Sequence, residues 1–223
     1  MKNIALCEDR QIGKENYMLP QRREMIAELR KMGFAERVLK AFEERPRHWF
    51  DQSFKHRMIY EIRALPSHNG QTISNPVTVA WQTQLLDVQT GDKILEIGTG
   101  TGFQSAILDV LGARVYTIER DISLARRAME LLKEFKNGIY VHYGDGYEGL
   151  PRLAPFDKVL ITCAPPCIPE KLLRQLKIGG FMITPLETDG KQKMLKISKI
   201  ADDKFEYEEL GDCSFVPMLK NQT

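Results

Sequence analysis

An α/β fold is predicted for this chain: a mostly parallel sheet, covered by helices, with an antiparallel pair at its C-terminal end and a helical extension at its start. Three observations carry that expectation. From Gly91 onward, short β-branched and apolar runs alternate with amphipathic stretches. Alternation of this kind builds a parallel sheet with helices on both faces. A glycine-rich loop sits at the first strand-to-helix crossover, where nucleotide-binding sheets place theirs. Over residues 21–50 the apolar periodicity is helical.

The elements follow in order. Met25, Ile26, Leu29 and Met32 fall at helical spacing until Gly33 stops the run. Val38, Leu39 and Phe42 repeat the pattern, and Pro46 ends it. Residues 51–75 are polar and read as irregular. Asn75 followed by Pro76 is an N-cap with proline in the first turn, so a helix is expected to about Asp87. Beyond it the expected strands are Lys93–Ile97, Arg114–Glu119, Ile139–Tyr143, Asp157–Thr162 and Gly180–Pro185. The helices between them are Gly102–Leu111, Ile122–Phe135 (with Leu124, Ala128, Leu131 and Phe135 on one face) and Pro169–Gln175. Met194–Ile200 and Phe205–Glu209 form the late antiparallel pair. Residues 1–75 are thus a helical extension with a lid segment and 76–223 a core, together one compact domain.

Composition narrows the function classes. The chain has 223 residues, with 32 basic and 30 acidic side chains and a net charge of +2. A chain of this length buries roughly 70% of its unfolded surface and needs no disulfide or metal to build a core. Near-zero net charge gives no sequence-wide electrostatic case for nucleic acid or an anionic membrane. No apolar run approaches the roughly 20 residues that span a bilayer, and Cys7-Glu8-Asp9-Arg10 interrupts the apolar start as no signal peptide would. A cytoplasmic protein is expected. The cysteines at 7, 163, 167 and 213 form no C-x-x-C pair, so incidental thiols and no metal site are expected.

The chemistry concentrates at the ends of the strands. Lys93–Ile97 runs into Gly98-Thr99-Gly100-Thr101-Gly102, and a helix follows. Glycines at alternate positions let the backbone approach a ligand that a Cβ would block, and the helix start behind them offers free N–H groups. The dinucleotide fingerprint G-x-G-x-x-G would need glycine at 103, where Phe103 stands. With Glu96 two residues ahead, the spacing Glu-x-Gly-x-Gly-x-Gly resembles the first motif of the class I S-adenosylmethionine-dependent methyltransferases. Glu119 ends the next strand, where a carboxylate can accept both ribose hydroxyls of an adenosine. Asp145 lies between Gly144 and Gly146 after the third strand. As a methyltransferase residue it would accept the adenine amino group, with the Gly146 amide facing a ring nitrogen.

Taken together, a set of segments in order resembles one family. These are Gly70-Gln71-Thr72-Ile73-Ser74-x-Pro76, Leu95 to Gly102, Gly144-Asp145-Gly146, Ala154-Pro155-Phe156-Asp157, Ile161-Thr162-x-Ala164-Pro165, Leu176-x-x-Gly179-Gly180 and Phe215-Val216-Pro217. The match, over roughly residues 20–219, is similar to the protein-L-isoaspartate (D-aspartate) O-methyltransferase family. The resemblance implies a Rossmann-like class I methyltransferase sheet with S-adenosyl-L-methionine as cofactor. It implies methyl transfer to the α-carboxylate of L-isoaspartyl, and D-aspartyl, residues in aged proteins, whose esters collapse to a succinimide and so begin repair. The partners would be isoaspartyl-containing peptides, met by a monomer. By the same resemblance Ser74 is the active-site serine, read as a hydrogen-bond donor that orients the acceptor carboxylate. Gln71, Thr72, Ile73 and Ser74 would close over the cofactor. Glu96, Gly98, Thr99, Gly100, Thr101, Gly102, Glu119, Arg120, Asp145, Gly146 and Thr162 complete the expected cofactor site.

A carboxylate acceptor is ionised at neutral pH, so the reaction asks for placement in line more than for a general base. The chain departs from the family pattern at Ser67-His68-Asn69, Val77, Met218 and Leu219, all on the acceptor side or the lid. Two other classes compete. A methyltransferase of RNA amines would be expected to carry Asn-Pro-Pro-Tyr or Asp-Pro-Pro-Tyr after the fourth strand, where Thr162-Cys163-Ala164-Pro165-Pro166 stands; small-molecule methyltransferases share its cofactor. An inactive cofactor-binding homologue would keep the loop and lose the lid.

Overall fold

The computed structural model describes residues 20–50, 58–66, 72–133, 135, 138–188 and 190–220. Expectations that fall on Cys7, His68, Gly70 and Gln71 lie outside them.

Residues 20–31 are helical (α1), and Glu36–Glu44 form α2. Met25, Ile26, Leu29, Val38, Leu39 and Phe42 are buried, whereas Met32, at the frayed end before Gly33, is exposed. Pro46 closes α2, and Arg47–Phe50 continue as a 3-10 turn. Two residues each from Leu65–Pro66 (β1) and Thr72–Ile73 (β2) pair antiparallel. The expectation of an irregular stretch there is therefore corrected by a minimal hairpin, too short to leave a period-2 signal.

Pro76–Leu86 form α3, with the Asn75 side chain accepting from the Val77 N–H at 3.0 Å. The core then alternates β3 (Lys93–Ile97), α4 (Phe103–Val110), β4 (Arg114–Glu119), α5 (Ile122–Leu132), β5 (Ile139–Tyr143), β6 (Phe156–Ile161), α6 (Glu170–Arg174), β7 (Leu176–Thr188), β8 (Lys191–Ala201) and β9 (Lys204–Cys213). Helix α5 stops three residues early. Phe135 still keeps its apolar role, under the Arg45 guanidinium at 4.5 Å and beside Phe50.

The seven strands run β5-β4-β3-β6-β7-β8-β9. The first five in that order are parallel, and β8 and β9 are antiparallel. Strand β7 is longer than expected because Gly179-Gly180 do not break it. The ladder from β6 shifts register between Phe156 and Lys158, and the glycine pair takes up the irregularity. A Cβ at Gly180 would stand 2.5 Å from the Asp157 carbonyl oxygen. The C-terminal part is therefore an antiparallel run of three strands.

The chain winds outward from β3 to β5, then returns to the other side of β3 with β6. That reversal opens a crevice at the C-terminal ends of β3 and β6, where ligands of doubly wound sheets sit. One hydrophobic cluster joins α1, α2 and β2 to Phe103, Ala106 and Ile107 of α4 and to Ala128 and Leu132 of α5. The extension thus packs on the helices that follow the glycine loop. Among the described residues no helix is long and apolar enough to cross a membrane.

Candidate active site

Strand β3 delivers the glycine loop to the crevice. The Gly98 and Thr99 amides donate to the Ile118 carbonyl at 2.9 and 3.2 Å, and the Gly102 amide to the Thr99 carbonyl at 2.8 Å. All three glycines have positive φ, at +95°, +53° and +86°. They are needed for different reasons. A Cβ at Gly98 would lie 2.5 Å from Thr162 Oγ1, and one at Gly102 would lie 2.8 Å from Leu132 Cδ1. Around Gly100 there is open space. Two glycines serve close packing, and the third leaves room beside the cleft.

The neighbouring strand ends converge on the same place. Glu119 is buried; its Oε2 accepts from the Gly100 amide at 2.8 Å and its Oε1 from the Asp121 amide at 3.0 Å. Thr162, just past β6, has Oγ1 2.9 Å from the carbonyls of both Ile97 and Gly98. It therefore ties the two strands that flank the crevice. Asp145 Oδ1 accepts from the Tyr147 amide at 2.9 Å, which fixes the turn presenting Gly146. A Cβ at Gly146 would lie 2.5 Å from Ile97 Cγ2.

The remaining wall comes from distant segments. Ala164 and Pro217 form a parallel bridge, held by Ala164 N–H to Val216 C=O at 2.8 Å and Met218 N–H to Ala164 C=O at 2.7 Å. The Tyr147 hydroxyl donates to the Met218 carbonyl at 3.1 Å. The end of the hairpin adds Thr72 and Ser74 to the lining. Since Asn75 already caps α3, the Ser74 hydroxyl is not needed for that task.

Together these enclose a cleft of about 960 Å3, counted out to its open mouth. Thr72, Ser74, Gly98, Thr99, Gly100, Thr101, Glu119, Arg120, Gly146 and Thr162 all line it. Ile73, Glu96, Gly102 and Asp145 stand behind its wall. Glu96 is fully buried and accepts from the Ser105 hydroxyl of α4. Burial pushes its carboxyl up to about 7; the Ser105 and Thr117 hydrogen bonds oppose that rise and the Glu119 charge adds to it. Burial also pushes the Cys163 thiol up to about 12, so this cleft residue is no thiolate nucleophile at neutral pH.

Sequence reading missed Gln82, Gln104 and Ile118 in the lining. Gln82 is buried on α3 and donates to the Ile161 carbonyl at 2.9 Å. A buried amide at that spacing was the available signal.

The cleft suits an adenosine-bearing methyl donor. It combines the open space beside Gly100, a carboxylate at the end of β4 and apolar faces from Ile97, Ile118 and Met218.

Comparison with known proteins follows the same line. The family model described as Protein-L-isoaspartate(D-aspartate) O-methyltransferase matches residues 20–223. A protein-L-isoaspartate O-methyltransferase of Flavobacterium johnsoniae is 43% identical over 203 residues, covering 90% of this chain and 95% of the relative. One from Christiangramia forsetii is 41% identical over 205 residues, covering 91% and 95%. A solved protein-L-isoaspartate O-methyltransferase superposes with a TM-score of 0.81 at 26% identity, over 90% of this chain and 66% of that one.

Proposed function

We infer the reaction from membership: the chain belongs to the protein-L-isoaspartate(D-aspartate) O-methyltransferase family. The protein moves a methyl group from S-adenosyl-L-methionine to the α-carboxylate of L-isoaspartyl residues in damaged proteins. Its ester product closes to a succinimide unaided, and hydrolysis then returns part of it to normal aspartate. When bound, the cofactor supplies a methyl group activated by a sulfonium.

The chain's own part is placement. The observation that carries this reading is that one cleft is lined both by the glycine loop and by Ser74. Glu119 accepts the ribose hydroxyls while its two loop amide contacts hold the carboxylate in place. Gly146 and the Asp145 turn take the adenine edge. Thr162 keeps the ends of β3 and β6 at a fixed separation. Ser74 donates its hydroxyl to the acceptor carboxylate, with Thr72 and Ile73 beside it. The acceptor needs no base because it is ionised at working pH. Fixing nucleophile and donor in one geometry converts a bimolecular encounter into a local one.

Residues 1–75 serve as an extension carrying the lid, a role supported by the hydrophobic cluster shared with α4 and α5. The protein acts as a monomer on isoaspartyl peptides in the cytoplasm, and its net charge of +2 gives no sequence-wide electrostatic case for a nucleic-acid or membrane partner. Labelled S-adenosylmethionine and an isoaspartyl peptide should give a base-labile methyl ester, and the normal-aspartyl peptide should not. Label entering RNA, or no label in either peptide, would remove the assignment.

A further inference from the structure

Guanidinium groups belong in water unless carbonyls, a carboxylate or an aromatic face replace their hydration. Arg47 is nevertheless fully buried. Its Nε donates to the Ile59 carbonyl at 2.7 Å, and its Nη2 reaches the Ile73 carbonyl at 3.5 Å. Its Cζ lies 5.4 Å from the centre of the Phe103 ring, within the range of a cation–π contact.

Two of those partners adjoin or line the cleft. The Ile73 carbonyl is part of the peptide unit whose nitrogen is that of Ser74. Phe103 opens α4, directly behind the glycine loop, and both Ser74 and Phe103 line the cleft. Phe103 is in turn wedged by Phe42 and Phe50 at 5.4 and 5.3 Å. Among the described residues the hairpin holding Ile73 pairs at two positions, Leu65 with Ile73 and Pro66 with Thr72. A hairpin so short does not fix itself.

We propose that Arg47 is a positioning residue: by clamping the Ile73–Ser74 peptide against Phe103, it sets where the Ser74 hydroxyl stands relative to the donor loop. A planar fork can serve two carbonyls while lying on a ring. A lysine ammonium keeps the charge and loses that shape, and a methionine keeps the volume and loses every donor. The inference rests on the reading of Ser74 as the acceptor-side residue.

The test uses the full chain with Arg47→Lys, Arg47→Met, Ser74→Ala and the Arg47→Lys/Ser74→Ala double variant. Three quantities are measured: amide hydrogen exchange by segment, calorimetric affinity for S-adenosylhomocysteine, and kcat and KM on an isoaspartyl peptide. Both Arg47 variants should exchange faster over residues 72–75 while β3 to β7 stay protected. Affinity for S-adenosylhomocysteine should hold, and kcat/KM should fall about tenfold or more, the scale of a small misplacement. The double variant should lose little beyond Ser74→Ala alone, because coupled positions are not additive. Faster exchange spread evenly over the sheet, or an additive loss in the double variant, would overturn the proposal. Should Arg47→Met not fold, Arg47→Lys decides by the same criteria. Should the wild-type chain methylate no isoaspartyl peptide, the functional reading fails, and the exchange pattern alone decides whether Arg47 pins Ser74.

Discussion

Replacing Glu96 by Gln should make the protein more stable at and above neutral pH while leaving its acid stability nearly unchanged. The Glu96 carboxyl is fully buried between β3 and α4. Its Oε2 accepts from Ser105, and a Thr117 hydrogen bond also favours its charged form without offsetting the burial. Burial raises its pKa from 4.5 to about 7. Below 4.5 the proton is held in folded and unfolded chains alike, so the group contributes no pH dependence. Between 4.5 and about 7 the unfolded chain releases the proton and the folded chain keeps it, and stability falls as pH rises. At roughly 1.4 kcal/mol for each pH unit, the loss reaches about 3 kcal/mol and then levels off. Glutamine matches the shape of the neutral acid, can accept from Ser105 and has no proton to lose. Urea unfolding of both proteins from about pH 5 to about pH 8 reads the difference directly. The gap between the two curves should open by about 3 kcal/mol in favour of the variant. Parallel curves would show that Glu96 is not held as a neutral acid.

The other expectations can be put together. Ser74→Ala should lower turnover and leave S-adenosylhomocysteine affinity intact in calorimetry; a collapse of affinity would place the hydroxyl on the donor instead. Gly98→Ala, whose Cβ would meet Thr162 at 2.5 Å, should lower the melting temperature sharply. Gly100→Ala meets open space, and its melting temperature should fall by no more than the roughly 1–2 kcal/mol cost of a side chain in the left-handed region implies. Arg45→Met should cost about 3 kcal/mol in urea unfolding, because it removes a cation 3.0 Å from the fully buried Asp109 carboxylate. Adding Asp109→Asn should recover part of that loss.

Strands whose both faces are buried announce themselves most plainly, and here that is the half of the sheet that matters. Ile94, Leu95, Val115, Ile118, Val159 and Leu160 are all inside, so β3, β4 and β6 carry apolar residues on both faces. Errors collect where a local signal is overruled by a neighbour. Gly179 looks like a strand breaker, yet the pairing of Leu176 with Phe156 of β6 extends β7 back across it. Phe135 continues the period of α5 and is wanted by Phe50 and Arg45, although the helix has already ended at Leu132.

The cleft divides along the same line. The glycine loop, Glu119 and Gly146 are legible because each sits at a strand end, and three adjacent parallel strands bring their ends together without further information. Ser74 is legible only through its segment, since a hydroxyl beside an Asn-Pro helix start is equally well explained as a cap. What distinguishes the two is the Asn75 side chain, which makes the cap itself. Glu96 shows the reverse case. Its spacing ahead of the glycines marks it as part of the loop motif, but on a strand the side chains alternate faces. Ile97 lines the cleft and Glu96, one residue earlier, points away toward Ser105. An acidic residue at that position ties β3 to α4 through Ser105, behind the glycine loop.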